Sequence, residues 1–464
     1  MVRKLNISKN QSNNEETMNQ WVASKYNVFS RGEDGTLLLY NSYTGAMGGI
    51  DQNEEKFVNS ILKNGYKEEP KGITQDLVSG GMLVKRGTNE NNRSELMRKT
   101  LDRSDYLHLI IMPTEQCNFR CEYCYESFQR GEMEKSVIEG TINLISSKLK
   151  KLNYFTISWF GGEPLLASNV IFEITDSFIH KIDKYDVNYN ANVTTNGYFL
   201  NLEMCTKLTQ RGITHFNVTL DGLQKDHDSA RFLHNGKGTY NVIIKNLIEL
   251  KESDLNFKIT IRCNFNQNTN IDSYILYLRE LFSEDERFSI YFRPVGKWGG
   301  CNDEELDVYE GREAGRKMLE ADLSAAKNKL NVSLLDEIIS PLGSVCYAAK
   351  PNSVVIGSNG TLYKCTVALE SDFNHVGKIE SNGNLVLDYD KLSKWVISGS
   401  SDNSICKECF FRPSCHGDAC PLVRIETNNR PCPKEKEHIK QTLKVIWEQH
   451  KNSISTIEPT HESN

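Results

Sequence analysis

Three cysteines fall in the short run Cys117-Asn118-Phe119-Arg120-Cys121-Glu122-Tyr123-Cys124. Thiolates spaced by four and then three residues can wrap three irons of a [4Fe–4S] cubane, which leaves the fourth iron open to an exchangeable ligand. Zinc is the competing use of such side chains. Structural zinc asks for four closed ligands, commonly in paired CxxC or CxxC/HxxxH spacing, and no fourth candidate lies close by. Cys346, Cys365, Cys406, Cys409, Cys415, Cys420 and Cys432 form a second field. For that stretch alone, one or two structural zinc sites is the alternative reading, because CxxC is also a zinc element. In a reducing compartment a total of 13 cysteines points to metal or catalysis before disulfides. Cys205 and Cys263 fall in helix and strand patterns and read as ordinary buried side chains. Cys301 stands apart. The histidines form no cluster with ligand spacing; His227 and His234 flank Arg231 in a polar loop and are assigned no role.

Those cysteines need elements to hold them. The chain has 464 residues, enough for two to four domains. Residues 1–25 are polar and expected to be disordered, and residues 26–86 form a small unit in which two strand-like runs flank Glu33-Asp34-Gly35. Phe57, Ile61 and Leu62 recur there at helical spacing, and Met82–Val84 closes the unit. Residues 87–105 read as a charged linker. From 106 to 300 the runs Leu107–Pro113, Phe155–Phe160, Tyr189–Thr194, His215–Leu220, Lys258–Asn264 and Ser289–Pro294 are β-rich and alternate with amphipathic stretches. Such alternation predicts parallel strands with right-handed crossovers, hence an α/β fold with a partial (β/α)6 TIM-type barrel. Functional residues then belong at the C-terminal strand ends. Residues 301–340 read as a connecting helix, 341–440 as a Cys-rich region of little periodicity, and 441–464 as a helix and tail.

Net charge is −6, with both signs mixed along the chain. That leaves no electrostatic footprint for nucleic acid or an anionic membrane. No apolar run is long enough to span a bilayer, and the polar N-terminus has no signal-peptide core, so a cytoplasmic protein is expected.

The ordered motifs resemble the radical SAM superfamily, whose signature is CxxxCxxC after the first barrel strand. Trp159-Phe160-Gly161-Gly162-Glu163-Pro164 looks like the family's GGEP element, Val193-Thr194-Thr195-Asn196-Gly197 like its ribose-contacting element, and Val218-Thr219-Leu220-Asp221-Gly222 like its SLDG stretch. The resemblance implies that Cys117, Cys121 and Cys124 hold a cluster that binds S-adenosylmethionine (SAM). It implies SAM contacts at Tyr123 (against adenine), Gly161, Gly162, Glu163 and Pro164 (at the amino group), Thr195, Asn196 and Asp221. The late cysteines resemble the SPASM extension of peptide-modifying members, with four residues instead of the usual three between Cys415 and Cys420. That likeness implies one auxiliary [4Fe–4S] cluster on Cys406, Cys409, Cys415 and Cys432. A second would sit on Cys346, Cys365 and Cys420, either completed by an outlying residue such as Cys301 or left with one open iron.

Residues 26–86, including Tyr40-Asn41-Ser42-Tyr43-Thr44-Gly45-Ala46, resemble the winged-helix-like recognition element of maturases for ribosomally made peptides. Such units hold a precursor's leader as an added strand. A capping unit with structural duties only is the alternative. The whole resemblance implies three [4Fe–4S] clusters, SAM, a precursor peptide and a reducing partner such as flavodoxin or ferredoxin. Its expected reaction is formation of a thioether between a cysteine sulfur and a carbon of the same peptide, as in sactipeptides and ranthipeptides. Rival readings are a carbon–carbon crosslinking maturase and an anaerobic sulfatase-maturating enzyme. The latter carries an acidic residue directly after the cysteine equivalent to Cys365, where this chain has Thr366. A plain iron–sulfur electron carrier would account for the cysteines but not for the SAM-type motifs.

Overall fold

The computed structural model describes residues 21–397, 399 and 403–454. The disorder expected for residues 1–20 and the tail beyond 454 lie outside them. Residues 21–25, expected to be disordered, instead begin with strand β1 (Trp21–Ala23). Three further strands, β2 (Asn27–Arg31), β3 (Leu37–Asn41) and β4 (Met47–Ile50), form an antiparallel sheet. β4 escapes the sequence pattern because its core is Gly48-Gly49, which supplies no side chain to alternate. Leu37 and Leu39 pack on helices Glu55–Asn64 and Ile73–Ser79 with Val58, Ile61 and Leu77. Leu38 and Tyr40, on the other face of β3, join the main core. The chain then returns as β5 (Leu83–Lys85), antiparallel to β1.

Residues 87–105, expected as a linker, hold the helix Glu90–Lys99. Asn89 caps it, its side chain accepting from the Asn92 amide at 3.0 Å. Ion pairs anchor this helix: Arg412 to Glu95 at 2.5 Å and Arg98 to Asp418 at 3.3 Å. A charged face of that kind leaves no apolar period to read.

Six parallel strands follow in sequential order: β6 (Tyr106–Ile111), β7 (Tyr154–Trp159), β8 (Asn188–Thr195), β9 (Ile213–Thr219), β10 (Lys258–Phe265) and β11 (Phe288–Pro294). Alternate residues such as Leu109, Ile157, Val193, Val218 and Ile261 are buried in the main core. Each fully buried aliphatic side chain contributes about 1.5–3 kcal/mol. The opposite face is polar: His108 meets Ser158 at 3.0 Å, Asn217 donates to Tyr291 at 3.0 Å, and Thr260 meets Ser289 at 3.0 Å. Ordinary TIM barrels fill that face with branched apolar side chains; here it is partly open to water.

The sheet does not close on itself. β6 pairs on its free side with β12 (Ser353–Ile356), in parallel, and β13 (Thr361–Tyr363), β14 (His375–Ile379) and β15 (Leu385–Leu387) continue antiparallel. The Cys-rich region, expected to have little regular structure, thus extends one ten-stranded sheet. Between the two lies the helix Gly311–Lys327, which buries Ala314, Met318, Ala321 and Ala325 at three- and four-residue spacing. It packs against β11 and the terminal helix Ile439–Ile454. Among the described residues no helix is long and apolar enough to cross a membrane.

Candidate active site

The segment between β6 and helix Lys135–Lys148 carries the three early cysteines, and hydrogen bonds tie it down on both sides. Glu163 donates its amide to the Gln116 carbonyl at 2.9 Å. Arg120 and Glu122 donate theirs to Phe232 and Ala230, and His234 donates to Asn118. Glu115, buried, accepts from Arg130 at 2.8 Å and from the Ser358 amide and hydroxyl at 3.1 and 2.9 Å. The cysteine loop is therefore clamped between the ends of β7 and β9 and the C-terminal strands.

The glycine pair after β7 permits that clamp. Gly161 has φ +119°, a region L side chains rarely adopt, and a Cβ there would run into the Thr114 carbonyl oxygen. A Cβ on Gly162 would sit 2.5 Å from the Gln116 oxygen, one residue before Cys117. Gly162→Ala is expected to displace the cysteine loop at a cost of about 1–3 kcal/mol. Thermal unfolding and iron analysis after reconstitution would show a lower midpoint and less bound iron.

Burial pushes the Cys117 and Cys124 thiols up to about 12, with nearby Glu163 adding to the first, and burial raises Cys121 as well. They are thiols until a metal replaces their protons. The Phe119 amide donates to Cys117 Sγ at 3.3 Å, and the Glu126 amide points likewise at Cys124. Cys365 and Cys409 receive the same two-residues-on contact at 3.4 Å, and Ala348 and Gly417 supply it to Cys346 and Cys415. Turns that aim amides at sulfur stabilise thiolate, which suits a metal–thiolate group. Cys205 and Cys263 are fully buried in the core.

The late thiols fall into two sets. Burial, with Cys365 and Cys420 adjacent, raises Cys346 to about 12. Burial raises Cys406, with Cys409 and Cys432 adjacent, and Cys415 is pushed up to about 12 with Cys432 near it. The loop of Cys301 packs elsewhere: Asn302 donates to the Glu122 carbonyl at 3.2 Å, and Gly300 lies against the Cys124 carbonyl. The residues on either side of Cys301 thus lie against the backbone of the early cysteine loop. Among the described residues no three His, Cys, Asp or Glu side chains converge on a single-ion position.

A cavity of about 390 Å³ opens over the early cysteines. Tyr123, Gly161, Gly162, Thr195 and Asn196 line it, and Asn196 Nδ2 lies 3.8 Å from Cys117 Sγ. Glu163, expected at the SAM amino group, instead turns inward: it is fully buried and accepts from the amides of Leu165 (3.0 Å) and Asn196 (2.7 Å) and the Thr195 hydroxyl (2.8 Å). Burial lifts its pKa to about 7. The short 3-10 turn Pro164–Ala167, which Glu163 caps, directs it there, and Pro164 is buried with it. Asp221 is likewise behind the wall, accepting from the Asn264 amide at 2.7 Å and from the Tyr123 hydroxyl.

Sequence reasoning missed Arg231 and His227. Arg231, 6% exposed, donates to Tyr123 Oη at 2.6 Å, lies 3.9 Å from Asp221, and faces the cavity. Its Nε has no partner. His227 Nδ1 accepts the Asp221 amide at 3.1 Å, and Nε2 meets Thr239 at 3.0 Å, so the proton sits on Nε2. The available signal was their place just after the fourth strand, the end where barrel sites gather.

Residues 111–268 match the model of the radical SAM superfamily. The chain is 25% identical over 338 residues to a cysteine-type anaerobic sulfatase-maturating enzyme of Clostridium novyi, covering 67% of this chain and 86% of that protein. It is 25% identical over 224 residues to the Fe-coproporphyrin III synthase of Methanosarcina barkeri, about half of each chain (48% and 49%). Among solved structures, native anSMEcpe with bound AdoMet and the Cp18Cys peptide superposes with a TM-score of 0.54 at 16% identity. The match covers 76% of this chain and all of that one. The superposition extends the likeness in fold well beyond the barrel.

Proposed function

Residues 111–268 form a radical SAM domain, and from that premise we propose that this enzyme installs thioether crosslinks in a ribosomally made precursor peptide. When bound, the clusters and SAM supply an electron for cleaving SAM, a hydrogen-abstracting 5′-deoxyadenosyl group, and a sink for the electron left over when sulfur bonds carbon. The peptide loses two hydrogens, one as an atom to deoxyadenosine and one as the thiol proton.

The chain's own residues divide the remaining work. Cys117, Cys121 and Cys124 would hold the SAM cluster. Arg231, buried beside Tyr123 and lining the cavity, would supply the cation for the SAM carboxylate. Gly161, Gly162, Thr195 and Asn196 supply the rest of its wall, while Glu163, Pro164, Asp221 and His227 act as positioning residues. Cys406, Cys409, Cys415 and Cys432 would hold one auxiliary cluster and Cys346, Cys365 and Cys420 another.

The observation that carries the thioether reading is the three-thiol set of Cys346, Cys365 and Cys420, from which the chain runs at Cys365 directly into the wall of the reaction cavity. Thr366 and Val367, directly after Cys365, line it. A cluster held there by three protein thiolates would offer the substrate's cysteine sulfur a place to bind. A cavity of about 300 Å³ beside β1 and β5, walled by Trp21, Tyr26 and Tyr43, supports leader binding by the N-terminal unit. Flavodoxin or ferredoxin would serve as reductant, in the cytoplasm.

The relative from Clostridium novyi favours sulfatase maturation as a second reading. Against it, the position after Cys365 is Thr366, whose hydroxyl lies 2.9 Å from Tyr347 Oη and offers no carboxylate base. Mass spectrometry after thiol alkylation separates the possibilities. A peptide two hydrogens lighter, with one cysteine no longer alkylated, is the expected product. Two hydrogens lost with every thiol intact would mean carbon–carbon crosslinking. Turnover of sulfatase-derived peptides alone would overturn the proposal.

A further inference from the structure

Four cations reach the reaction cavity, namely Arg231, Arg262, Arg293 and Lys434, against one carboxylate, Glu126. Arg231 is committed to the cysteine-loop side through Tyr123. Arg293 leans on Glu435 at 3.4 Å and Met318 Sδ at 2.8 Å. Arg262, on β10, donates Nε to Asn264 Oδ1 at 2.8 Å. Its terminal nitrogens, and Lys434 Nζ, have no hydrogen-bond or ion-pair partner among the described residues. Asp221 acts on Arg262, and Glu435 and Glu437 on Lys434, only from beyond ion-pair distance, so a ligand carboxylate in direct contact would complete the site. SAM does not need a second cationic wall, because the residues assigned to it lie on β7–β9 and the cysteine loop. The β10–β11 side faces the other reactant.

We infer, resting on the maturase reading above, that the peptide substrate carries a carboxylate beside its reacting residue and that Arg262 and Lys434 bind it. The guanidinium fork suits a carboxylate's two oxygens. A second cavity, of about 490 Å³, shares Tyr125, Glu126, Phe128, Trp298 and Val367 with the first but carries Glu115, Glu370 and Glu426 as well, so the cationic side formed by Arg262 and Lys434 lies in the first cavity alone. The carboxylate belongs either to an Asp or Glu side chain or to the peptide's C-terminus.

The test uses the full, cluster-loaded chain with SAM and C-terminally amidated hexapeptides holding one cysteine and one varied position: Asp, Glu, Asn, Gln or Lys. A Gln peptide with a free C-terminus is the second arm. Calorimetry is expected to show acidic peptides binding about tenfold or more tighter than their amide counterparts. Arg262→Met should erase that preference, Arg262→Lys should keep part of it, and Arg262→Glu should turn it toward the Lys peptide. A gain confined to the free C-terminus would assign the carboxylate there and still support the inference. Equal binding of Glu, Gln and free-terminus peptides that nonetheless lose two hydrogens would overturn it and leave the proposed function standing. If SAM is cleaved but no peptide loses hydrogens, precursor peptides with their leader included, the maturase reading fails, whatever the binding order.

Discussion

Cys117→Ala, Cys121→Ala and Cys124→Ala are each expected to abolish deoxyadenosine release, to background, in reconstituted and reduced protein. Each thiol sits in the one loop that both SAM-side strands clamp, and Cys117 receives both the Phe119 amide and the Asn196 side chain. With three thiolates on a four-iron group, losing one leaves two irons without protein ligands, too few to fix a site-differentiated cluster. Iron should fall by about a third if three clusters are present in the parent. The electron resonance signal that responds to added SAM should vanish, while the signals of other clusters remain. Retained SAM cleavage in any of the three would sink the assignment of this loop. Deoxyadenosine is measured by chromatography, so the result does not depend on knowing the peptide.

Cys365→Ala is expected to separate the two halves of the reaction. Crosslinked peptide should fall to below about 1% of parent, the scale of losing one essential group, whereas deoxyadenosine release persists. Cys365 is buried, shares a set with Cys346 and Cys420, and leads directly into the cavity wall at Thr366. Its backbone is separately fixed: the Cys365 amide donates to Asn374 Oδ1 at 3.0 Å, and Asn374 Nδ2 returns a bond to the Cys365 carbonyl at 2.8 Å. Removing the sulfur therefore leaves the turn its scaffold. Cys346→Ala and Cys420→Ala should share the phenotype, since a cluster and its fold stabilise one another. Normal crosslinking by all three variants would rule this set out of the chemistry. Iron counts and circular dichroism distinguish cluster loss from unfolding.

The barrel was legible because each of its strands buries one apolar face, so Leu109, Ile157 and Val193 announce a period that needs no partner to be recognised. Cysteine spacing is equally local. What escaped was held by partners distant in sequence. The helix Glu90–Lys99 exists through Arg412 and Asp418, more than three hundred residues away, and looks like a charged linker without them. β12 reads as part of an irregular Cys-rich region until β6 is placed beside it. Glu163 carries the family's motif correctly, yet only the turn at Pro164 reveals that its carboxylate faces inward. Arg231 and His227 lie in a stretch whose polarity suggests a solvated loop, but His227 is in the helix Gln224–Ala230 and Arg231 follows it, bonded to the Tyr123 hydroxyl.

The pairing of β6 with β12 also sets a timetable for synthesis. Ser353 meets His108 across 245 residues of chain, so the first barrel strand leaves the ribosome long before its outer neighbour exists. At about 5–20 residues per second the gap lasts roughly ten to fifty seconds. Throughout it β6 presents an unpaired edge, the feature most prone to illegitimate strand pairing. The loop bearing Cys117 hangs from that edge, and Glu115 still lacks Ser358. Until Ser358 emerges, iron would meet only a half-built platform, which ties a finished cluster site to synthesis of β12.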